Sequence, residues 1–278
     1  MKNLIFIVCV FLLGCYKTSE NDSGSEYLPN HLSDKSDAGI GKPPLVNQSE
    51  CSEGMSHIDV YNSYDKKNGS KSGSIYLGFD DYYDNWNILI PKFKCRPVRF
   101  TFFINTWSNL ITELLEQGHS VGNHTRSHIN LAQSKDNWVT TLEYEIVSFN
   151  DEIKEHTEVK SFAFPFGAFN THWTAVLVEH FSHLRRFGTR NNNPVFYPKN
   201  NLAGQVILSS SSLDNVKFSS DLEYFQYVDN LIEELSKNKG SVVLTAHDIG
   251  LSDWAISEER LEYLVDKAIK NNINFKTL

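Results

Sequence analysis

From Ser74 onward the chain alternates short apolar runs with longer stretches of helical spacing, and this alternation limits the fold more than any other feature. Strand-like runs fall at 74–79, 98–104, 119–122, 161–164, 185–189, 206–208 and 241–246, and Ile273-Asn274-Phe275 closes the set. Helical stretches fall at 83–94, 109–117, 137–156, 173–183, 221–237 and 257–270. Pro91 ends or kinks the first of these, and Gly118 closes the second, whose face carries Leu110, Ile111, Leu114 and Leu115. Strands that alternate with helices form βα units, so a largely parallel sheet or barrel with helices outside is expected. No internal repeat of fixed period is present.

The first 73 residues are of another kind. Met1-Lys2-Asn3 is a short basic start, and Leu4 to Leu13 is an almost wholly apolar run. At about ten residues, against roughly twenty for a spanning helix, it reads as the core of an export signal. Leu12-Leu13-Gly14-Cys15 resembles a bacterial lipobox, which makes Cys15 the expected site of lipidation. Residues 1–15 are therefore expected to be a lipoprotein signal segment. Residues 16–73, rich in Ser, Asn, Asp, Gly and Lys, are expected to be a flexible linker, with Ile58-Asp59-Val60-Tyr61 able to dock locally. Residues 74–278 form the expected catalytic domain. The chain is expected to be exported, lipid-anchored to a bacterial membrane (outer membrane or cell surface), and monomeric.

The net charge of -8 and the absence of a Lys/Arg cluster argue against nucleic-acid binding. Of four cysteines, Cys9 and Cys15 lie in the leader, and none form a paired metal-ligand spacing. Cys51 and Cys95 form either a disulfide or two free thiols.

The candidate chemistry sits at strand ends. Gly78-Phe79-Asp80-Asp81 ends the first strand in two adjacent carboxylates. Like charges this close raise each other's pKa and need a metal, a base partner or water. Successive strand residues point oppositely, so the two can have different tasks: Asp81 as metal ligand, Asp80 as catalytic base. His124 and His128, four apart, can face one ion from a helical turn or a tight loop. Two imidazoles and a carboxylate suit zinc, with other first-row metals such as Co2+ or Ni2+ possible, and leave positions open for water and substrate. Phe164-Pro165-Phe166-Gly167 makes a rigid turn whose backbone N–H groups can stabilise an oxyanion. Leu244-Thr245-Ala246-His247 delivers a histidine from the most apolar strand, suited to protonating a leaving amine.

With these four motifs in order, the chain from about Gly73 onward resembles the polysaccharide deacetylases, the NodB-like carbohydrate esterase family four. The turn at Pro165 looks most like the subgroup acting on poly-N-acetylglucosamine. The resemblance implies a distorted (β/α) barrel of about seven strands, one divalent metal on Asp81, His124 and His128, Asp80 as base and His247 as acid. It also implies that Phe166 lends its backbone N–H to the oxyanion. The implied activity is removal of N-acetyl groups from an amino-sugar polymer such as poly-N-acetylglucosamine, chitin or peptidoglycan. An O-acetyl esterase and a non-catalytic glycan binder are the alternatives. Three departures stand out. Tyr82 follows the Asp pair where the family often has Gly. Ala163 stands where many members place the arginine that steadies the base, for which Arg186 and Arg190 are candidate replacements. Lacking a clear Asp-and-Trp motif, the chain offers Asp253 to tune the acid and Trp254 for sugar contact.

Overall fold

A computed structural model of the chain describes residues 55–69, 73–134, 137–188, 193–198 and 202–278. Cys15, Cys51 and Arg190 lie outside the described residues. Cys95 is disulfide-bonded, which removes the free-thiol reading for it.

The strands run β1 Ser74–Asp80, β2 Thr101–Ile104, β3 Ser120–Asn123, β4 Ser161–Ala163 and β5 His183–Phe187. They continue as β6 Phe196–Tyr197, β7 Ile207–Ser212, β8 Ser241–Ala246, β9 Asp248–Ile249, β10 Ala255–Ile256 and β11 Asn274–Phe275. Seven of these, β1 to β5 with β7 and β8, pair side by side in parallel. A further parallel ladder, from Ser74↔Ser241 to Phe79↔Ala246, joins β8 back to β1 and closes the barrel. The β3–β4 seam is held by one register pair, Asn123↔Phe162, so the ring is distorted at that point. β11 takes the lower edge of β1 and β2 the upper. The antiparallel β6 lies on β8.

Helices α1 His57–Asn68, α2 Leu89–Phe93, α3 Asn109–Glu116, α4 Trp138–Thr141, α5 Ser148–Lys154, α6 Thr171–Leu177, α7 Asp221–Asn238 and α8 Glu258–Lys270 accompany the strands. The expected 83–94 helix is instead a 3-10 turn, Asp84–Ile88, running into short α2. The expected 137–156 helix carries a π turn, Leu142–Val147, between α4 and α5. α1 lies inside the expected linker, so ordered structure begins ahead of Ser74. Its capping box uses Ser56 and Asp59, and His57 Nε2 meets the Val98 carbonyl at 2.7 Å. Arg99 covers the Tyr61 ring at 3.9 Å.

Why the barrel closes is visible in side-chain direction. Phe102 packs outward, stacked on Phe79 at 5.5 Å, whereas neighbouring Phe103 points inward. A Cβ on Gly122 or Gly78 would meet the Phe103 ring at 2.4 or 2.8 Å, so only glycine leaves that ring its space. Fully buried Ile75, Leu77, Val242 and Leu244 join the Phe79 cluster, each worth about 1.5–3 kcal/mol relative to exposure.

Candidate metal and proton-transfer site

β1 delivers the carboxylates. Asp80 is 2% exposed and is the last strand residue. The backbone then turns left-handed at Asp81, with φ 71°. Asp tolerates that conformation better than most residues, and the turn carries its side chain toward β3. β3 ends at Asn123, and the amide of His124 donates to the Ile104 carbonyl at 3.0 Å. The chain from His124 to His128 is a tight loop with left-handed Thr125 and His128, not a helical turn. The loop nevertheless brings both Nε2 atoms to Asp81 Oδ1, at 3.4 Å from His124 and 3.2 Å from His128.

These three residues fit a cation. Asp81 Oδ1 is buried and makes no hydrogen bond. One donor atom from each residue lies within 4.8 Å of the others. His124 Nδ1 lies 2.8 Å from the Ala163 carbonyl, which can only accept. Nδ1 therefore carries the proton, and the Nε2 lone pair faces Asp81. Burial raises the Asp81 carboxyl, yet the imidazoles of His124, His128 and His247 beside it outweigh that and bring it down to about 2. Burial, with His124 and His247 nearby, holds His128 below the usual imidazole value against the pull of Asp81 and Asp80. An ionised carboxylate and unprotonated imidazoles are the forms that bind metal.

Asp80 is held by Arg185, whose Nη2 donates to Oδ2, while Oδ1 is buried and unpaired. Arg185 is itself buried and anchored through Nη1 to Ser210 Oγ at 3.0 Å and Thr245 Oγ1 at 2.7 Å. Arg186 is not that partner, and Arg190 lies outside the described residues. Arg185 is the register partner of Ala163 across the β4–β5 ladder, so the cation absent from Ala163 enters from the adjacent strand. Arg186 instead lies over Phe169 at 4.2 Å.

β8 delivers His247. Its Nδ1 donates to Asp214 Oδ2 at 2.8 Å and its amide to Asp214 Oδ1 at 3.1 Å. Ser212 Oγ donates to the same carboxylate at 2.6 Å. Asp214 is therefore the residue that tunes the histidine, in place of Asp253, whose side chain is exposed. Burial lowers the His247 pKa, but the Asp214 hydrogen bond and charge, with Asp80 and Asp81, outweigh it and raise it to about 8.

The remaining candidates line the rim. Phe166 has φ 60°, exposes its ring, and sets it 4.5 Å from the His128 ring; Pro165 before it is buried. Tyr82 donates from its hydroxyl to Asp84 at 2.9 Å and packs edge-on to Trp86. Trp254 is 52% exposed, with its ring 5.6 Å from His247. Arg185 and Asp214 are the residues missed by sequence reasoning. Only the register of β5 and the polar run Ser209–Ser212 that ends before Asp214 hinted at them.

A family model described as "Polysaccharide deacetylase" matches residues 67–180. Chitin deacetylase 1 of Saccharomyces cerevisiae is 28% identical over 141 residues, 49% of this chain and 44% of that protein, so the match spans less than half of its length. Two solved structures share the fold at a TM-score of 0.50. One is a mutant of the peptidoglycan deacetylase PdaC from Bacillus subtilis, 16% identical, covering 75% of this chain and 89% of that one. The other is the Bc1960 peptidoglycan N-acetylglucosamine deacetylase, 17% identical, covering 75% and 87%.

Proposed function

Because the chain carries a polysaccharide deacetylase domain of the NodB, carbohydrate esterase four kind, we propose that it is a metal-dependent hydrolase that removes N-acetyl groups from an amino-sugar polymer. The observation that carries this reading is that a held base, a held acid and one three-ligand cluster come together at the ends of adjacent strands. Asp80 and His247 stand at the ends of β1 and β8, adjacent strands, with Asp81, His124 and His128 beside them. A divalent cation held by those three residues supplies Lewis-acid polarisation of the acetyl carbonyl and a water of lowered pKa.

The rest is done by the chain's own groups. Arg185 occupies Asp80 Oδ2, which leaves Oδ1 to accept a proton from the attacking water. The backbone N–H of Phe166, at a left-handed turn beside His128, is the proposed donor to the carbonyl oxygen as it gains charge. His247, protonated and fixed through Nδ1 by Asp214, gives its Nε2 proton to the departing nitrogen as the carbon–nitrogen bond breaks. An amine needs that proton more than an alkoxide does, so a histidine held up to about 8 favours the amide substrate over an ester. Exposed Phe166 and Trp254 offer faces for sugar rings.

The substrate is proposed to be poly-N-acetylglucosamine, chitin-like polymer or peptidoglycan, the metal zinc, and the place the bacterial surface, with a lipid on Cys15 as anchor. The leader composition of residues 1–15 supports that location. Metal analysis with acetate release on the three polymers and on acetylxylan tests the reading. Acetate from an amino-sugar polymer, lost on chelation and restored by zinc, is expected. Release from acetylxylan alone would make the protein an esterase, and release from none a binder.

A further inference from the structure

The proposed chemistry makes no use of Glu145, a carboxylate only 7% exposed. It lies in the π turn Leu142–Val147. A π turn widens the helix by one residue, so carbonyls within it lose their regular i+4 donors. Groups of this turn accept bonds from the loop that carries the two histidines. The Arg126 amide donates to the Glu145 carbonyl at 3.0 Å. The Ser127 amide donates to the Glu145 side chain, Oε2, at 2.8 Å. On the same turn, Asn123 Nδ2 donates to the Ile146 carbonyl at 3.2 Å, while its Oδ1 accepts from the Thr125 amide at 2.8 Å. Thr125 and His128, one on either side of the two clamped amides, both have left-handed backbones. Non-glycine residues hold such conformations only where surrounding bonds impose them.

We propose that Glu145 is a positioning residue for the metal site: its backbone and side-chain oxygens clamp successive amides between His124 and His128 and fix the separation of their Nε2 atoms. This rests on the metal reading above. Glu145 acts by geometry: what it supplies are acceptor oxygens for the Arg126 and Ser127 amides. The acceptor oxygen is therefore what matters, and the negative charge is not.

The test is competition titration of zinc against a chromophoric chelator, on the full chain and its variants, with thermal melting of each metal-free protein. Glu145→Ala is expected to weaken zinc about 10- to 100-fold, the usual effect of removing a partner behind the ligands. Its metal-free melting temperature should stay close to that of the parent. Glu145→Gln, which keeps an acceptor oxygen on the same stem, is expected to restore the parent affinity, a rescue that a purely structural loss would not show. Should Glu145→Ala fail to fold, Glu145→Asp carries the test: it keeps the charge on a shorter stem and should also bind weakly. Parent-like affinity in Glu145→Ala, or a Glu145→Gln as weak as the alanine variant, would overturn the clamp while leaving the metal site standing. A parent chain that takes up no zinc in the same titration would overturn the metal site and the clamp together.

Discussion

Arg185 and Arg186 are chain neighbours with opposite surroundings. Strand alternation sends one into the barrel against Asp80 and the other out over Phe169. The sequence shows two arginines of equal standing, and only the Ala163↔Arg185 register decides which faces inward. Arg185→Met should strand the buried Asp80 carboxylate and cost about 3–5 kcal/mol in urea unfolding. Arg185→Lys should fold better but release acetate more slowly, because an ammonium cannot bridge Asp80, Ser210 and Thr245 from one plane. Asp80, Asp81, His124, His128 and His247 were legible because each ends a recognisable apolar run or sits in a tight spacing. Asp214 was not, since an aspartate after serines reads as a turn. Its effect is measurable through His247. The histidine pKa is raised from 6.5 to about 8, so the acid form, and acetate release with it, should fall as pH rises through about 8. Asp214→Asn should move that limb toward lower pH. The same shift stabilises the fold fully below the unfolded value of 6.5 and is lost as pH rises through about 8. The urea midpoint of Asp214→Asn should therefore lose that part of the parent's alkaline decline.

At the scale of elements, α1 and the π turn were the least legible parts, and for different reasons. α1 is held by polar groups as much as by apolar ones: its buried residues are His57, Tyr61 and Asn68. Its hydrophobic period is therefore faint, and composition made it look like tether. His57→Phe removes the ring nitrogens that meet the Lys94 and Val98 carbonyls. A loss of about 1–3 kcal/mol is expected in chemical unfolding, with acetate release per folded molecule unchanged. The π turn adds one residue to a helix whose apolar pattern still reads as α, so periodicity passes over it. β3 was expected at 119–122 and falls at Ser120–Asn123, but the reason for its glycine is visible only once its partner strand is known. Gly122 looks like a turn residue, yet its role is to admit the Phe103 ring. Gly122→Ala should cost about 1–3 kcal/mol by overpacking and should also disturb His124, two residues on.

For the molecule as a whole, the alternation of runs foretold a parallel βα ring, because each buried strand needs neighbours on both edges and helices over its outer face. The core that holds this ring, from Ile75 to Phe275, does not include the three candidate ligands. The metal-free protein is therefore expected to stay folded and lose only catalysis. Zinc at 100 times its dissociation constant should then raise unfolding stability by about 2.7 kcal/mol, readable as a shift in melting temperature. The closing ladder has one more consequence. Phe79 lies opposite Ala246, so the residues that follow them, the proposed proton acceptor Asp80 and the proposed proton donor His247, come from the opening and the final strands of the ring. A nascent chain that has laid down every stave but the last holds ligands and base with no donor facing them. Acetate release thus doubles as a gauge of ring completion. Fragments that separate β1 from β8 should be silent apart and regain turnover only when mixed under conditions that let the seam re-form.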